Sequence, residues 1–441
     1  MTVPRAEHDR PETYPAYRAA PCVRLDGDET ALVGVKTTGF DVYFADGQRY
    51  HYDLEGRLLR LATPNVQWRR GLSGRILKLS KRPLDAGGGL HRTRLLQAEV
   101  DQLLDVCSGR LRRVSESFRQ GKFTIPDFDH HDLSSEEVGS LLVLGSDFSA
   151  EKASQEVERF RQLYGDIPIM PPDQYSSLPL MATDGCRYNK CTFCGFYRGD
   201  PFRNRTPEQF RSHLADAVAF HGQGLALRRA IFLGQANALM GPRPWREEIL
   251  RIVNESFEFP EIASGACSPD WWKGSTSRFE GITSFLDAFI GERISEEEFA
   301  TLRKLNLQRV FIGMESGDVK LLEWLRKPSE PGQMLQTVRA AKAAGVTVGV
   351  IVLVGAGGEP YFDDHVRHTV ELIQSMRLGR GDFVYLSPLV NAEKTEYEQL
   401  MEAENIRPLS PERLAEQEKQ IRAGIKSAAY VAHYEVQHFV Y

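Results

Sequence analysis

Over residues 178–386 the sequence alternates short apolar runs with amphipathic stretches, and this rhythm constrains the fold more than any other feature. The runs at 178–183, 230–233, 282–288, 309–313, 346–355 and 382–386 are short and bounded by glycine or polar residues, so they predict strands. Helical spacing between them predicts helices at 206–221, which opens with Thr206-Pro207-Glu208, and at 244–257, 295–305 and 333–344. A strand followed by a helix, repeated in this way, predicts a parallel sheet, most simply an open partial (β/α)6 barrel of the TIM type. The longest apolar stretch, 346–357, has about half of the ~20 residues a membrane helix needs and is rich in valine and glycine, so it reads as a buried strand.

The first part of the chain has a different texture. Residues 33–61 alternate apolar and polar side chains around Asp46-Gly47 and Glu55-Gly56, the pattern of a small antiparallel sheet. After Gly87, Gly88 and Gly89, a flexible joint, residues 91–119 have helical spacing. Residues 140–165 read as a short strand followed by a helix capped near Ser149, and 166–179 as a proline-punctuated connector. The expected organisation is an α/β chain: a small antiparallel β module at 1–87, a helical or α+β linker at 88–174, the barrel at 175–390 and a helical extension at 391–441. No repeat, heptad or low-complexity run interrupts it.

A length of 441 residues allows a sizeable core, and a net charge of −5 with 26% charged residues gives the chain as a whole no basic character. Nucleic acid and membrane surfaces are therefore not expected as partners. The polar start, MTVPRAEHDRPETYP, lacks the apolar run of an export signal, which points to the cytoplasm. Six unevenly spaced cysteines do not make a secreted disulfide framework. Cys22, Cys107 and Cys267 stand alone, whereas Cys186, Cys191 and Cys194 fall within nine residues. Clustered thiols in a reducing compartment suit metal or redox work.

The cluster lies in MATDGCRYNKCTFCGFYRGDPFRNRTPEQF, directly after the first barrel strand and before a capped helix, where barrels build their active sites. Thiolates at spacings of five and three residues can hold three corners of an iron–sulfur cubane and leave one iron open to a ligand. Gly185 and Gly195 let the backbone wrap closely around the sulfurs. Two other readings start from the same thiols: zinc completed by a distant ligand, or an electron-carrying cluster whose fourth ligand is Cys267.

GCRYNKCTFC, with Phe193 just before the last cysteine, resembles the cluster loop of the radical S-adenosylmethionine (radical SAM) superfamily, and FYRGDPFRNR extends the likeness. AIFLGQANALM, FIGMESG, VGVIVLVGAGGE and YLSPL follow in the family's order, so the resemblance covers about residues 175–425. It is similar to the branch that shares its core with oxygen-independent coproporphyrinogen oxidases and methylthiotransferases. The resemblance implies a [4Fe–4S] cluster on Cys186, Cys191 and Cys194, S-adenosylmethionine as cofactor, and a reductant such as flavodoxin or ferredoxin. It places Phe193 against the adenine and Gly234 and Gln235 in the segment that meets the methionine amino group. Glu315 and Ser316 fall near the ribose or methionine, and Gly355 and Glu359 in the segment that supports the adenine. Glu315 could equally be a strand-end acid paired to an arginine.

The chain departs from the family in two places. Four residues separate its first two cysteines where three are usual, and Gln235 and Ala236 replace the second glycine and the glutamate of a Gly-Gly-Glu segment. The implied chemistry is reductive cleavage of S-adenosylmethionine to a 5'-deoxyadenosyl radical that takes hydrogen from a substrate, most simply a small molecule. Aminocarboxypropyl transfer, or a barrel that only carries electrons, are the alternatives; the catalytic residues and the substrate are not readable. Cobalamin methylases and twin-cluster maturases are disfavoured, because no Asp-x-His-x-x-Gly signature and no second cysteine cluster occur. His130 and His131 read as solvent-facing, His365 and His368 as core or surface residues, and the insertion around Trp271 and Trp272 as packing.

Overall fold

The structure, a computed structural model, describes residues 17–81, 90–125, 133–236, 238–259, 279–289, 293–390 and 395–441. Gly87–89, His130, His131, Cys267, Trp271 and Trp272 lie outside the described residues. Contacts divide the chain into two compact units, Met1–Glu158 with Val440, and Arg159–Phe439 with Tyr441.

The first unit is built on one antiparallel sheet that is larger than the sequence predicts. Its strands are β1 (Cys22–Arg24), β2 (Thr30–Lys36), β3 (Gly39–Phe44), β4 (Arg49–Tyr52), β5 (Leu58–Ala62), β6 (Val66–Arg70), β7 (Ile76–Lys81), β8 (Leu90–Arg94) and β9 (Phe123–Thr124). Their order, β8-β7-β6-β5-β4-β3-β2-β1-β9, is a meander closed at one edge by β9. Because β8 and β9 belong to it, the sheet continues past residue 87. Its inner face, with Val33, Phe40, Val42, Tyr50 and Leu61, packs on Leu104, Leu111, Val114 and Phe118 of α1 (Gln97–Arg119) and Leu142 of α2 (Ser135–Ser146). Full burial of a side chain such as Leu111 contributes about 1.5–3 kcal/mol.

The expected strand near residue 140 is instead α2. Ser134 accepts from the Glu137 N–H at 3.2 Å while Glu137 accepts from the Ser134 N–H at 2.7 Å, a capping box that starts a helix before the apolar run begins. The helix then turns Leu142, with Leu141 beside it, to the sheet and leaves Val143 and Leu144 exposed. The helix expected after Ser149 is present as α3 (Ala150–Tyr164).

The second unit opens with β10 (Leu178–Met181), the short pair β11 (Thr183–Asp184) and β12 (Arg203–Asn204), and α4 (Pro207–His221). There follow β13 (Ile231–Gly234), α5 (Arg243–Ser256), β14 (Ile282–Phe285), α6 (Glu296–Lys304), β15 (Leu307–Glu315), α7 (Val319–Trp324) and α8 (Pro331–Ala343). The unit ends with β16 (Thr347–Val354), α9 (Gly358–Ser375), β17 (Phe383–Pro388), α10 (Glu396–Ala403), α11 (Pro411–Gly424) and β18 (Tyr430–His433). The sheet order β10-β13-β14-β15-β16-β17-β18 is sequential and every neighbouring pair is parallel.

All six expected barrel strands are present, and their near-continuous burial is that of a sheet covered on both faces. The result is an α/β partial barrel. The correction falls at the C-terminus: 391–441 is not purely helical, because β18 returns to add a seventh parallel strand beside β17. Its neighbours Tyr434 and Tyr441 are buried and donate to the carbonyls of Met170 and Ser177. Among the described residues no helix is long and apolar enough to cross a membrane.

Candidate functional site

The three clustered cysteines lie in the loop between β11 and β12, just past the C-terminal end of β10. The base of the loop is pinned by Asp184, whose carboxylate takes Arg203 and, at 2.9 Å, Arg205. Gly185 is left-handed, with φ +69°, and a side chain there would press on the carbonyls of Asp200 and Pro201. Its N–H donates to the Gln235 side chain at 2.6 Å, so the Gln235 side chain beyond β13 braces the cysteine loop directly. Inside the loop the Arg198 guanidinium donates to the carbonyls of Cys191 (2.8 Å), Cys194 (3.2 Å) and Asn189 (3.3 Å). One exposed side chain thereby sets the path of the peptide that carries two of the three thiols. From outside, Thr192 donates its N–H to Leu325 and Tyr188 its hydroxyl to Arg326. Asn189, within the longer first spacing, takes φ +47° and donates its amide to Tyr197 at 2.6 Å. Asparagine tolerates that conformation better than most residues.

Cys186, Cys191 and Cys194 are half-buried free thiols that sense one another electrostatically. Burial pushes the Cys191 thiol up to about 12, against the pull of the Lys327 ammonium, and burial also raises Cys194. Among the described residues no three of His, Cys, Asp and Glu converge as the ligands of a single metal ion. The donor set, three thiols near a cation, fits a [4Fe–4S] cluster.

Beside the thiols β15 ends in an unusual turn. Its pairing with β16 shifts register between Gly313 and Glu315, and Glu315 takes φ +62°, a left-handed conformation that a glutamate adopts only when its surroundings impose it. The Glu315 carboxylate, nearly buried, accepts from Lys327 Nζ at 2.9 Å, and that ammonium also lies 4.6 Å from the centre of the Phe289 ring. Glu315 is therefore a paired strand-end acid, with a lysine as its partner.

The turn is held from behind by α9. Ser316 and His365 are fully buried, and the Ser316 hydroxyl meets His365 Nδ1 at 2.7 Å. His365 Nε2 faces the Leu353 carbonyl at 3.0 Å. A carbonyl can only accept, so Nε2 carries the proton, Nδ1 accepts, and the serine donates. The Asp318 N–H donates back to the Ser316 hydroxyl and the Gly317 N–H to Thr369 Oγ1, both at 3.0 Å. Burial pushes the His365 imidazole down to about 4, which keeps it neutral. His368, in contrast, is partly exposed and pairs with Asp318 at 2.6 Å.

Phe193 packs against Leu321, Leu325, Leu353, Ala356, Tyr397 and Met401. Gly234 ends β13, and Gly355 follows β16 with φ +89°, its N–H given to Gln417 at 2.7 Å. Glu359, at the start of α9, is half-exposed and pairs with Arg413 of α11 at 3.3 Å. Thus Glu315 shares the surroundings of the thiols and Gln235 braces their loop, whereas the Ser316 hydroxyl is spent inside the turn and Glu359 on α11. Sequence reasoning missed Lys327, which follows the short α7 with no pattern to mark it, and Arg198, whose carbonyl contacts depend on the folded loop.

A search of curated proteins returned no match to this sequence. Solved structures that resemble it include the cobalamin-dependent S-adenosylmethionine radical enzyme OxsB, with 14% identity and a TM-score of 0.34 over 62% of this chain and 32% of that one. Others are the Elp3 of the archaeon Methanocaldococcus infernus (13%, 0.36, over 58% and 56%) and HydG, a maturase of the [FeFe]-hydrogenase (14%, 0.37, over 74% and 62%). The matched region thus spans less than two thirds of each of these chains, and at such TM-scores the neighbours carry no functional inference. The model of the radical SAM superfamily matches residues 180–373, from β10 to within α9, a stretch that contains the cysteine loop, the Glu315 turn and His365. The chain therefore carries a radical SAM superfamily domain.

Proposed function

We propose that this enzyme binds a [4Fe–4S] cluster through Cys186, Cys191 and Cys194 and cleaves S-adenosylmethionine reductively, to abstract hydrogen from a small-molecule substrate. The observation that carries the reading is the preorganised loop of three thiols beside the Glu315–Lys327 pair, within the residues that match the family. A cluster held by Cys186, Cys191 and Cys194 would supply the one electron that reduces the sulfonium, so that homolysis of the 5' carbon–sulfur bond would give methionine and the 5'-deoxyadenosyl radical.

The chain's own residues bind and orient. The methionine end of the cofactor carries an ammonium and a carboxylate, and Glu315 and Lys327 offer the complementary charges at low exposure, where such contacts are strengthened. Phe193 provides an apolar wall for the adenine, and Gln235, fixed on Gly185, holds the loop in register with the end of β13. The electron comes from a carrier such as flavodoxin or ferredoxin, and the free thiols suit a reducing cytoplasm.

The test is anaerobic reconstitution with iron and sulfide, then reduction and incubation with S-adenosylmethionine, with products read by mass spectrometry. The reading predicts 5'-deoxyadenosine, lost in Cys191→Ala. 5'-Methylthioadenosine in its place would redirect the assignment to aminocarboxypropyl transfer. One equivalent of tightly held zinc and no cluster would end it.

A further inference from the structure

The whole-chain charge hides a strong asymmetry. Residues 49–94, which span β4 to β8, hold eleven Arg and Lys against three Asp and Glu, a net charge of +8 inside a chain whose net charge is −5. Two of these arginines are structural: Arg57 and Arg70 are buried against Glu156. Most of the others are displayed.

The strand register puts the displayed ones on one face. Arg60 stands directly opposite Arg69, Arg69 opposite Leu77, and Leu77 opposite Arg94; two residues along, Gln67 opposes Leu79 and Leu79 opposes Arg92. The intervening positions, Tyr50, Leu61, Trp68 and Ile76, point to the core, so Arg60, Arg69, Arg92 and Arg94 share the outer face, and all four are exposed. Leu77 and Leu79 between them are buried. His51 opposes Arg60, and Arg49, two residues earlier on the same face, extends the row. The nearest acid along that row, Asp41, is fully buried, and Lys36, Arg49 and His51 already occupy it at 2.7–3.1 Å.

Arg60, Arg69 and Arg92 form no ion pair among the described residues. Like charges set directly opposite across a sheet repel. Partial burial and the charges of Arg69 and Arg49 accordingly push the Arg60 guanidinium down. Among the described residues, then, Arg60, Arg69 and Arg92 carry charge that no acid pairs, and a bound polyanion would relieve it.

We infer that the outer face of β4–β8 binds the phosphate backbone of a nucleic-acid strand. Arginine rather than lysine dominates the face, and a planar guanidinium matches phosphate oxygens two at a time. The charges reach across five strands, about 20 Å, which exceeds what a peptide paired to the edge strand β8 would cover. Aromatic side chains point inward here, so contact is with the backbone and not by base stacking, and little sequence preference follows. This surface lies wholly in the first unit and does not depend on the radical reading.

The test uses the full chain and a labelled single-stranded RNA oligonucleotide, with its DNA counterpart, in fluorescence anisotropy between about 50 and 200 mM salt. Binding should weaken steeply with salt. The variant Arg60→Ala/Arg69→Ala/Arg92→Ala/Arg94→Ala should lose at least about tenfold in affinity and flatten the log–log salt slope by about 3, near 0.7 per phosphate contact. Arg92→Ala/Arg94→Ala alone, confined to the edge strand, should flatten it by about half as much. An unchanged thermal midpoint checks that the sheet stays folded. Absence of binding at the lowest salt, or binding that all variants retain, overturns the proposal. So does arginine-dependent capture of polyglutamate without capture of the oligonucleotides, which would make the face a site for an acidic protein.

Discussion

Replacing Lys327 by methionine keeps most of the side chain's volume and removes its charge. In the folded protein the ammonium is about nine-tenths buried, sits 2.9 Å from an equally buried Glu315 carboxylate, and lies over the Phe289 ring. Without it the Glu315 carboxylate is left in a left-handed turn with no counter-charge. Breaking a buried pair by removing one partner costs about 3–5 kcal/mol, and that range is the expected loss for Lys327→Met. Glu315→Gln should fall near the lower end, because the lysine it strands keeps its contact with the ring. The double variant should recover about 2 kcal/mol or more relative to the sum, the signature of direct coupling. Guanidinium unfolding of the cluster-free protein, read by tryptophan fluorescence, reports mainly on the second unit, since four of the five tryptophans follow residue 158. The carboxylate raises the Lys327 pKa above the ordinary lysine value and outweighs the opposing effect of burial. The stabilisation is therefore complete below about pH 10.4 and fades as pH climbs through the higher folded-state value. A Lys327→Met variant within about 1 kcal/mol of wild type at neutral pH would refute the ion pair as a structural element.

Two further outcomes can be checked with the same protein. His365, held at about 4 by burial, takes up a proton less readily folded than unfolded, so stability should be full above about pH 6.5 and decline by on the order of 3 kcal/mol as pH falls towards 4. His365→Gln, which can still accept from Ser316 and donate to Leu353, should show a flatter decline, and a profile that overlays wild type would remove His365 as the titrating group. Gly317→Ala should destabilise by at least about 3 kcal/mol, since its Cβ would strike the α9 backbone at His368; a wild-type melting temperature would contradict that close approach.

The barrel was legible because its strands announce themselves by composition. Residues 346–355 are valine-rich and bounded by glycine, and β16 forms there with its ends moved by one residue. β18 was not legible, because Tyr430–His433 is only four residues long and little buried, and it earns its place by pairing with β17. The apolar run at 141–144 suggested a strand because apolar content alone does not separate a buried strand from a buried helix; the Ser134–Glu137 cap decided it. At the site, the cysteines and Glu315 stand in recognisable words of sequence. Lys327, Arg198 and the His365–Ser316 contact join residues through folded geometry, across 12, 7 and 49 positions respectively, and no local pattern encodes them. The basic sheet face was hidden for another reason: a chain-wide sum of charge discards where the charges lie.

The burial of the thiol loop has a consequence for the life of the protein before any iron arrives. With Cys191 pushed up to about 12 and Cys194 raised as well, two of the three sulfurs stay protonated at neutral pH. Oxidants and disulfides react with the thiolate and only slowly with the thiol. If these thiols take the cluster proposed above, loading releases those protons, so assembly is favoured as pH rises. Arg198 keeps the loop in shape, and its two buried sulfurs are thereby held in the form that oxidants attack slowly.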